Sequence, residues 1–196
     1  MNPVFHTTPG GTGLWVYGDG AFGELVLDGL GGAVLGRARL LVCVTQGARP
    51  AFAETVASRA EIAKLPWLPL ELDGTMLRCG PVTGTGAGPC PECTGRRRRQ
   101  HSRQARLAGL VADGTEPAFL PQHRELAIAV LGSVVRAFTD HGTADEIHEV
   151  DLVRGDFAKH RVIPVHGCPV CDPRGAAEQS WVRLAAGLGI RAGVRR

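Results

Sequence analysis

An α/β fold built on a mixed sheet is what this chain predicts, on three observations. A short apolar run ends in a glycine-rich turn that opens a helical pattern. Strand-like and helix-like segments then alternate before giving way to hairpins. Finally, two copies of one pattern, Cys90-Pro91-Glu92-Cys93 and Cys168-Pro169-Val170-Cys171, lie on either side of the 74 residues 94–167. The 196 residues suit one domain of ordinary size, and a composition of 44% hydrophobic and 21% charged residues allows a packed core.

The elements follow in order. Residues 1–12, rich in glycine, proline and threonine, are predicted to be an irregular lead-in. Leu14-Trp15-Val16-Tyr17 has the length and apolarity of a buried strand. It runs into Gly18-Asp19-Gly20-Ala21-Phe22-Gly23, a literal G-x-G-x-x-G, after which Phe22, Leu25, Val26 and Leu30 recur at helical spacing. Strand, glycine turn and helix start are the context of a nucleotide-binding site at Gly18, Gly20 and Gly23, where a helix N-terminus attracts phosphate. The same glycines serve equally to pack a helix closely on a sheet. The carboxylate expected about 20 residues further on, to hold a ribose, is missing. The next strand, Arg39 to Val44, ends instead in Thr45-Gln46-Gly47.

Residues 51–64 are predicted to be helical, with Phe52, Val56, Ala60 and Ala63 on one face. Two strands, Pro66–Leu72 and Thr75–Cys79, flank the turn at Asp73-Gly74. A glycine- and proline-rich loop, 80–89, leads to the first cysteine pair. After Cys93 the basic run Arg96-Arg97-Arg98-Arg99 opens a helical segment that reaches Leu110 and Val111. It would grip phosphates or an acidic peptide, or simply form a solvated helix face. A clearer helix spans about 122–140, on a stripe of Leu126, Val130, Leu131, Val134, Val135 and Phe138. A hairpin, 147–153 with 157–163, delivers the chain to the second pair, and Trp181, Leu184 and Leu188 predict a terminal amphipathic helix over 176–190.

A net charge of only +3, with Lys64 and Lys159 the sole lysines, gives no electrostatic reason to invoke nucleic acid. No apolar run approaches the roughly 18 residues that cross a bilayer. The first residues lack the basic start and apolar stretch of a signal peptide, so the expected location is the cytoplasm. In that compartment paired cysteines favour metal over disulfide. Cys43 and Cys79 sit in apolar strand-like runs and are read as buried thiols.

Two thiolates two residues apart wrap half of a tetrahedral metal, and two such turns complete a zinc site. Cys90, Cys93, Cys168 and Cys171 are therefore the candidate ligands. Four protein ligands leave no open position, so the role is structural. A redox-active C-x-x-C would need one pair at a helix start after a strand. A nucleic-acid-reading zinc ribbon would bring its pairs within about 15–20 residues. His166, two residues before Cys168, is a spare donor assigned to the surface.

Taken together, the G-x-G-x-x-G after the first strand, the strand Pro66–Leu72, the Gly-Pro loop into C-x-x-C, the long helix, the hairpin and His166-Gly167-Cys168 resemble the ThiF-type, ubiquitin-activating-enzyme-like fold. More narrowly, Gly80-Pro81-Val82 through Cys93 and Val162 through Cys168 resemble the ocin-ThiF branch. Members of that branch partner YcaO proteins in making azoline and azole rings in ribosomal peptides. The resemblance covers most of residues 13–173. It implies a truncated Rossmann-like mixed sheet over 13–175 with a C-terminal zinc-stapled hairpin-and-helix region, followed by a helix and tail over 176–196.

Nucleotide-activating members of the fold place an aspartate after a later strand to hold magnesium. Here the first helix passes almost directly into the strand that matches that later one, as if a strand–helix unit were deleted. Thr45 and Gln46 stand where the aspartate would fall, removing much of the electrostatic help for adenylation. The resemblance thus implies a non-catalytic scaffold or activator of a YcaO-dependent cyclodehydratase, with structural zinc here and ATP and magnesium in the partner chain. The implied partners are a YcaO-type protein and a precursor peptide, with a separate leader-binding domain to hold that peptide as a further expectation. The 196 residues are too few to include the winged-helix domain that many relatives carry in front. Arg96, Arg97, Arg98, Arg99 and Trp181 are the candidate peptide or partner contacts, and a homodimer is a further expectation. The rival readings are an ATP-dependent adenylating enzyme acting on a peptide or carrier-protein C-terminus, and a zinc-dependent nucleic-acid-binding module.

Overall fold

A computed structural model describes residues 3–8, 11–31, 38–47, 49–84, 89–101, 119–168 and 170–171. The expected terminal helix around Trp181, Leu184 and Leu188 and the apolar positions Leu107, Leu110 and Val111 lie outside them. One mixed sheet organises the rest, its seven strands lying side by side in chain order. They are β1 (Val4–Thr7), β2 (Gly13–Asp19), β3 (Leu40–Gln46), β4 (Trp67–Asp73), β5 (Met76–Cys79), β6 (Glu146–Asp151) and β7 (Phe157–Arg161). The helices are α1 (Gly20–Leu30), α2 (Pro50–Ala63), α3 (Pro91–His101) and α4 (His123–His141). Strands β2, β3 and β4 are parallel, and every other pairing is antiparallel. Among the described residues no helix is long and apolar enough to cross a membrane.

The predicted element order holds, with two corrections. Residues Val4–Thr7 are not irregular: they pair with β2, Val4 opposite Val16 and Thr7 opposite Gly13. Flanking proline and glycine mask this strand in the composition, but its backbone groups are satisfied by an edge that β2 offers. The first cysteine turn is also more regular than a knuckle before a helix. Pro91 occupies the first turn of α3, where its missing N–H costs nothing.

Residue alternation along β2, β3 and β4 divides the core between the two faces of the sheet. Leu14, Val16, Leu40, Val42, Val44, Leu68, Leu70 and Leu72 meet Phe22, Val26 and Leu30 of α1 and Ala127, Val130, Leu131, Val134 and Val135 of α4. Tyr17, Leu41, Cys43 and Trp67 face the other way, against Phe52, Val56 and Ala60 of α2. Strand β3, covered on both sides, is buried at all seven positions. Burial pushes the Cys43 thiol up to about 12 and raises Cys79 as well, so both are inert core thiols.

Because β2, β3 and β4 step in one direction while α1 and α2 cover opposite faces, the two crossovers have opposite hands. One of them departs from the right-handed rule for parallel strands. Joining a helix to a strand on the far side of its own strand, as deletion of a strand–helix unit would do, leaves this signature.

His148 is the one buried ring of the described chain with neither nitrogen hydrogen-bonded. It lies on the α4 face of β6, fully buried, edge-on to Phe157 with ring centroids 5.6 Å apart. Burial, with Lys159 on the neighbouring strand, lowers its pKa against the opposing pull of Glu146, whose carboxylate lies 3.5 Å away. The neutral ring is thus the folded form, and the unfolded chain binds the extra proton. Stability is expected to fall as pH drops through about 6.5, the unfolded value. Chemical denaturation of wild type and His148→Phe between pH 7 and 5 checks this, the variant losing less stability over that interval.

Candidate functional site

The two cysteine turns meet at one point. Cys90 and Cys93 flank the start of α3, while Val165 to Cys171 follow β7 and turn back onto it. All four Sγ atoms lie within 4.8 Å of one another, with Cys90–Cys168 and Cys93–Cys171 each at 3.5 Å. Such distances are far too long for a disulfide. They are close to the edge of a tetrahedron with metal–sulfur bonds of about 2.3 Å, which is about 3.8 Å. Cys90, Cys93 and Cys168 are buried and Cys171 is exposed.

Backbone amides complete the cluster. The Val165 N–H donates to Cys93 Sγ at 3.2 Å and the Cys93 N–H to Cys90 Sγ at 3.5 Å. The amides of Cys171 and Val170 favour a thiolate at Cys168 and pull its pKa to about 6. N–H groups aimed at sulfur are the outer shell that a thiolate-bound metal uses, so the donor set fits a tetrahedral, sulfur-preferring ion. His166 stays exposed outside the cluster.

Helix α3 ties this cluster to the sheet. Arg97 donates to the carbonyls of Ile163 and Pro164, on the segment leading into the second turn. Arg98 forks onto Glu71 Oε2 at 2.7 Å and Asp73 Oδ2 at 3.0 Å. Arg78 shares Asp73 and reaches Glu149 at 2.7 Å, so β4, β5, β6 and α3 are joined by one network. Arg96 pairs with Glu92 one helical turn earlier, and Arg99 approaches the same carboxylate at 3.9 Å while remaining 62% exposed. The run expected to grip phosphates or an acidic peptide therefore spends most of its guanidinium groups inside the chain. Trp181, the other contact candidate, lies outside the described residues.

The glycine turn has its own explanation. A Cβ on Gly18 would come within 2.9 Å of the Gly23 backbone, and one on Gly23 within 2.9 Å of Gly18. Both glycines are thus required for α1 to rest on β2 and β3. Gly20 holds φ +76, which favours glycine, and a Cβ there would meet Gln46. The decisive residue is Gln46, 3% exposed at the end of β3. Its Oε1 accepts the Phe22 N–H at 2.9 Å, one of the amides a phosphate would take at a helix N-terminus. Asp19, at the N-cap, makes no side-chain cap bond and instead faces Arg49 at 3.4 Å. Sequence reasoning noted Gln46 as a missing aspartate; its capping role carried no signal, because the partner amide is 24 positions away.

No protein-family model matches the sequence, and no curated protein does. Solved structures do match. A heterocyclase solved in complex with substrate and cofactor aligns with TM-score 0.59 and 21% identity, covering 81% of this chain and 25% of that one. The E. coli microcin synthetase McbBCD complex aligns with TM-score 0.56 and 16% identity, covering 69% and 54%. The same synthetase with pro-MccB17 bound aligns with TM-score 0.52 and 15% identity, covering 74% and 58%. The chain thus spans from a quarter to somewhat over half of the chains it matches. The fold is the one the sequence resemblance implies, shared with heterocyclase and microcin synthetase chains.

Replacing Gln46 with alanine leaves the Phe22 amide without its partner. The expected cost is about 1–2 kcal/mol of stability, read as a lower denaturation midpoint at unchanged slope.

Proposed function

We propose that the chain is a scaffold and activating subunit of a YcaO-dependent cyclodehydratase that makes azoline or azole rings in a ribosomally made peptide. The carrying observation is Gln46: the glycine turn is capped from within, and an amide stands where the fold's activating members hold magnesium. Structural likeness to heterocyclase and microcin synthetase chains supports the setting. In this reading the ATP chemistry belongs to the YcaO partner, and this chain docks the precursor or stimulates that partner in the cytoplasm. Gly18, Gly20 and Gly23 then serve packing.

Zinc is the proposed metal of Cys90, Cys93, Cys168 and Cys171, because four thiolates at tetrahedral spacing match its structural sites. When bound it supplies cross-linking, with no vacant position for a water or substrate. Its mechanical effect passes through α3, whose Arg97 and Arg98 link the centre to the hairpin exit and to β4. The chain would therefore present a fixed C-terminal surface to its partner only when metallated.

Two experiments test these statements. Mixing the purified chain with a YcaO protein and a Cys-, Ser- or Thr-containing precursor should yield one water mass lost per ring, with little conversion when this chain is omitted. Cyclisation by this chain alone, or ATP–pyrophosphate exchange at millimolar ATP, would instead favour the adenylating enzyme. Metal analysis should give about one zinc per chain. Chelation, or serine at both Cys90 and Cys168, should remove the metal together with tertiary structure. A metal-free preparation with an unchanged melting curve would contradict the assignment.

A further inference from the structure

Strand β7 ends the sheet, and four of its five side chains are exposed. Its hydrogen-bonding phase follows from two bonds, Val162 N–H to Asp145 and Asp151 N–H to Asp156. These share the register in which Ile147 faces His160 and Glu149 faces Ala158. Ala158 and His160 therefore turn their backbone groups inward to β6, while Phe157, Lys159 and Arg161 aim theirs outward. No described strand pairs with that outer edge. The same three residues share the α4 face of the sheet, since Phe157 lies opposite Val150 and Lys159 opposite His148.

Exposed edges are usually blunted with charge, and Lys159 and Arg161 serve that purpose. Protection alone leaves the flanking apolar groups unexplained: Phe157 is 54% exposed and Ile163 68%. Self-pairing is disfavoured, because a symmetric antiparallel pair centred on Lys159 would set lysine against lysine. The strand itself carries Lys159, His160 and Arg161 and no acid. Five residues span about 17 Å, too little for a standard protein–protein interface but enough for a short peptide.

We infer that the outer edge of β7 is a docking site for an extended segment of the peptide substrate, added as an eighth strand. The segment carries acidic side chains opposite Lys159 and Arg161 and apolar ones near Phe157 and Ile163. Backbone bonds to Phe157, Lys159 and Arg161 supply affinity, and the alternate side chains supply selectivity. The inference rests on the reading above that the substrate is a peptide. It also gives an acidic segment a counter-surface at Lys159 and at Arg161, which is 75% exposed although it already donates to Asp145. Arg97 and Arg98, by contrast, are held against the chain.

The test is binding, separate from ring formation. A fluorescein-labelled Leu-Thr-Glu-Thr-Glu-Thr-Leu peptide, whose leucines and glutamates share one face of an extended strand, is titrated into the full chain, with hydrogen exchange followed at Phe157, Lys159 and Arg161. Saturable binding with slowed exchange at those three amides is expected, and an equal-length lysine analogue should not bind. Lys159→Pro removes an outward N–H without touching the β6 ladder and should weaken binding about tenfold or more. Lys159→Glu should weaken the acidic probe and admit the lysine analogue, an outcome that holds even if the proline variant misfolds. No binding by wild type, equal binding by a folded proline variant, or full protection of the three amides before peptide is added would each overturn the inference. Binding at β7 without any stimulation of cyclisation would instead count against the scaffold function alone.

Discussion

Four sulfur atoms from two distant turns, gathered within 4.8 Å, are the constraint on which the C-terminal half depends. The hairpin β6–β7 is antiparallel to its neighbour and could stand against β5 through its ladder alone. The exit from that hairpin cannot, since Ile163, His166 and Val170 offer little to bury. Its position is set by sulfur and by α3, which begins inside the cluster and reaches Glu71 and Asp73 through Arg98. Arg98 and Glu71, only 31% and 20% exposed, make that arm of the fork stronger than a surface pair. Sulfur cluster, helix and sheet therefore act as one rigid corner.

The amino-terminal half answers a different question: what becomes of a phosphate-type turn when the chain itself supplies the acceptor. Tight contact between Gly18 and Gly23 keeps α1 against β2 and β3, so the turn has a packing use whatever binds there. Gln46 then satisfies the Phe22 amide without introducing charge. A carboxylate at that position would interact more strongly with the helix dipole, but it would also have to be desolvated next to Asp19. An amide gives the cap at lower electrostatic cost.

Features whose signal is local were legible in the sequence. The cysteine spacing gave the cluster, apolar periodicity gave α1, α2 and α4, and the turn at Gly74 gave the β4–β5 hairpin. Features that depend on distant partners were not. Strand β1 exists because β2 has a free edge, and its four residues carry no pattern of their own. The arginines of α3 read as a charge run because their partners at 71, 73, 163 and 164 lie in other elements. The opposite hands of the two crossovers emerge only once alternation along three strands is matched to the helices covering each face. His148 is similar: an isolated histidine in an alternating strand gives no hint that both nitrogens are buried.

The wide spacing of the two cysteine turns has a consequence for biosynthesis. Cys168 is added 75 positions after Cys93, which at about 5–20 residues per second is a delay of roughly 4–15 s. Through that interval Cys90 and Cys93 are a two-thiolate half-site at the start of a helix, a weak metal ligand and a target for oxidation. Only a nascent chain translated through Cys171 can close the cluster and hide its sulfurs. Truncated products would keep that thiol pair open to oxidation.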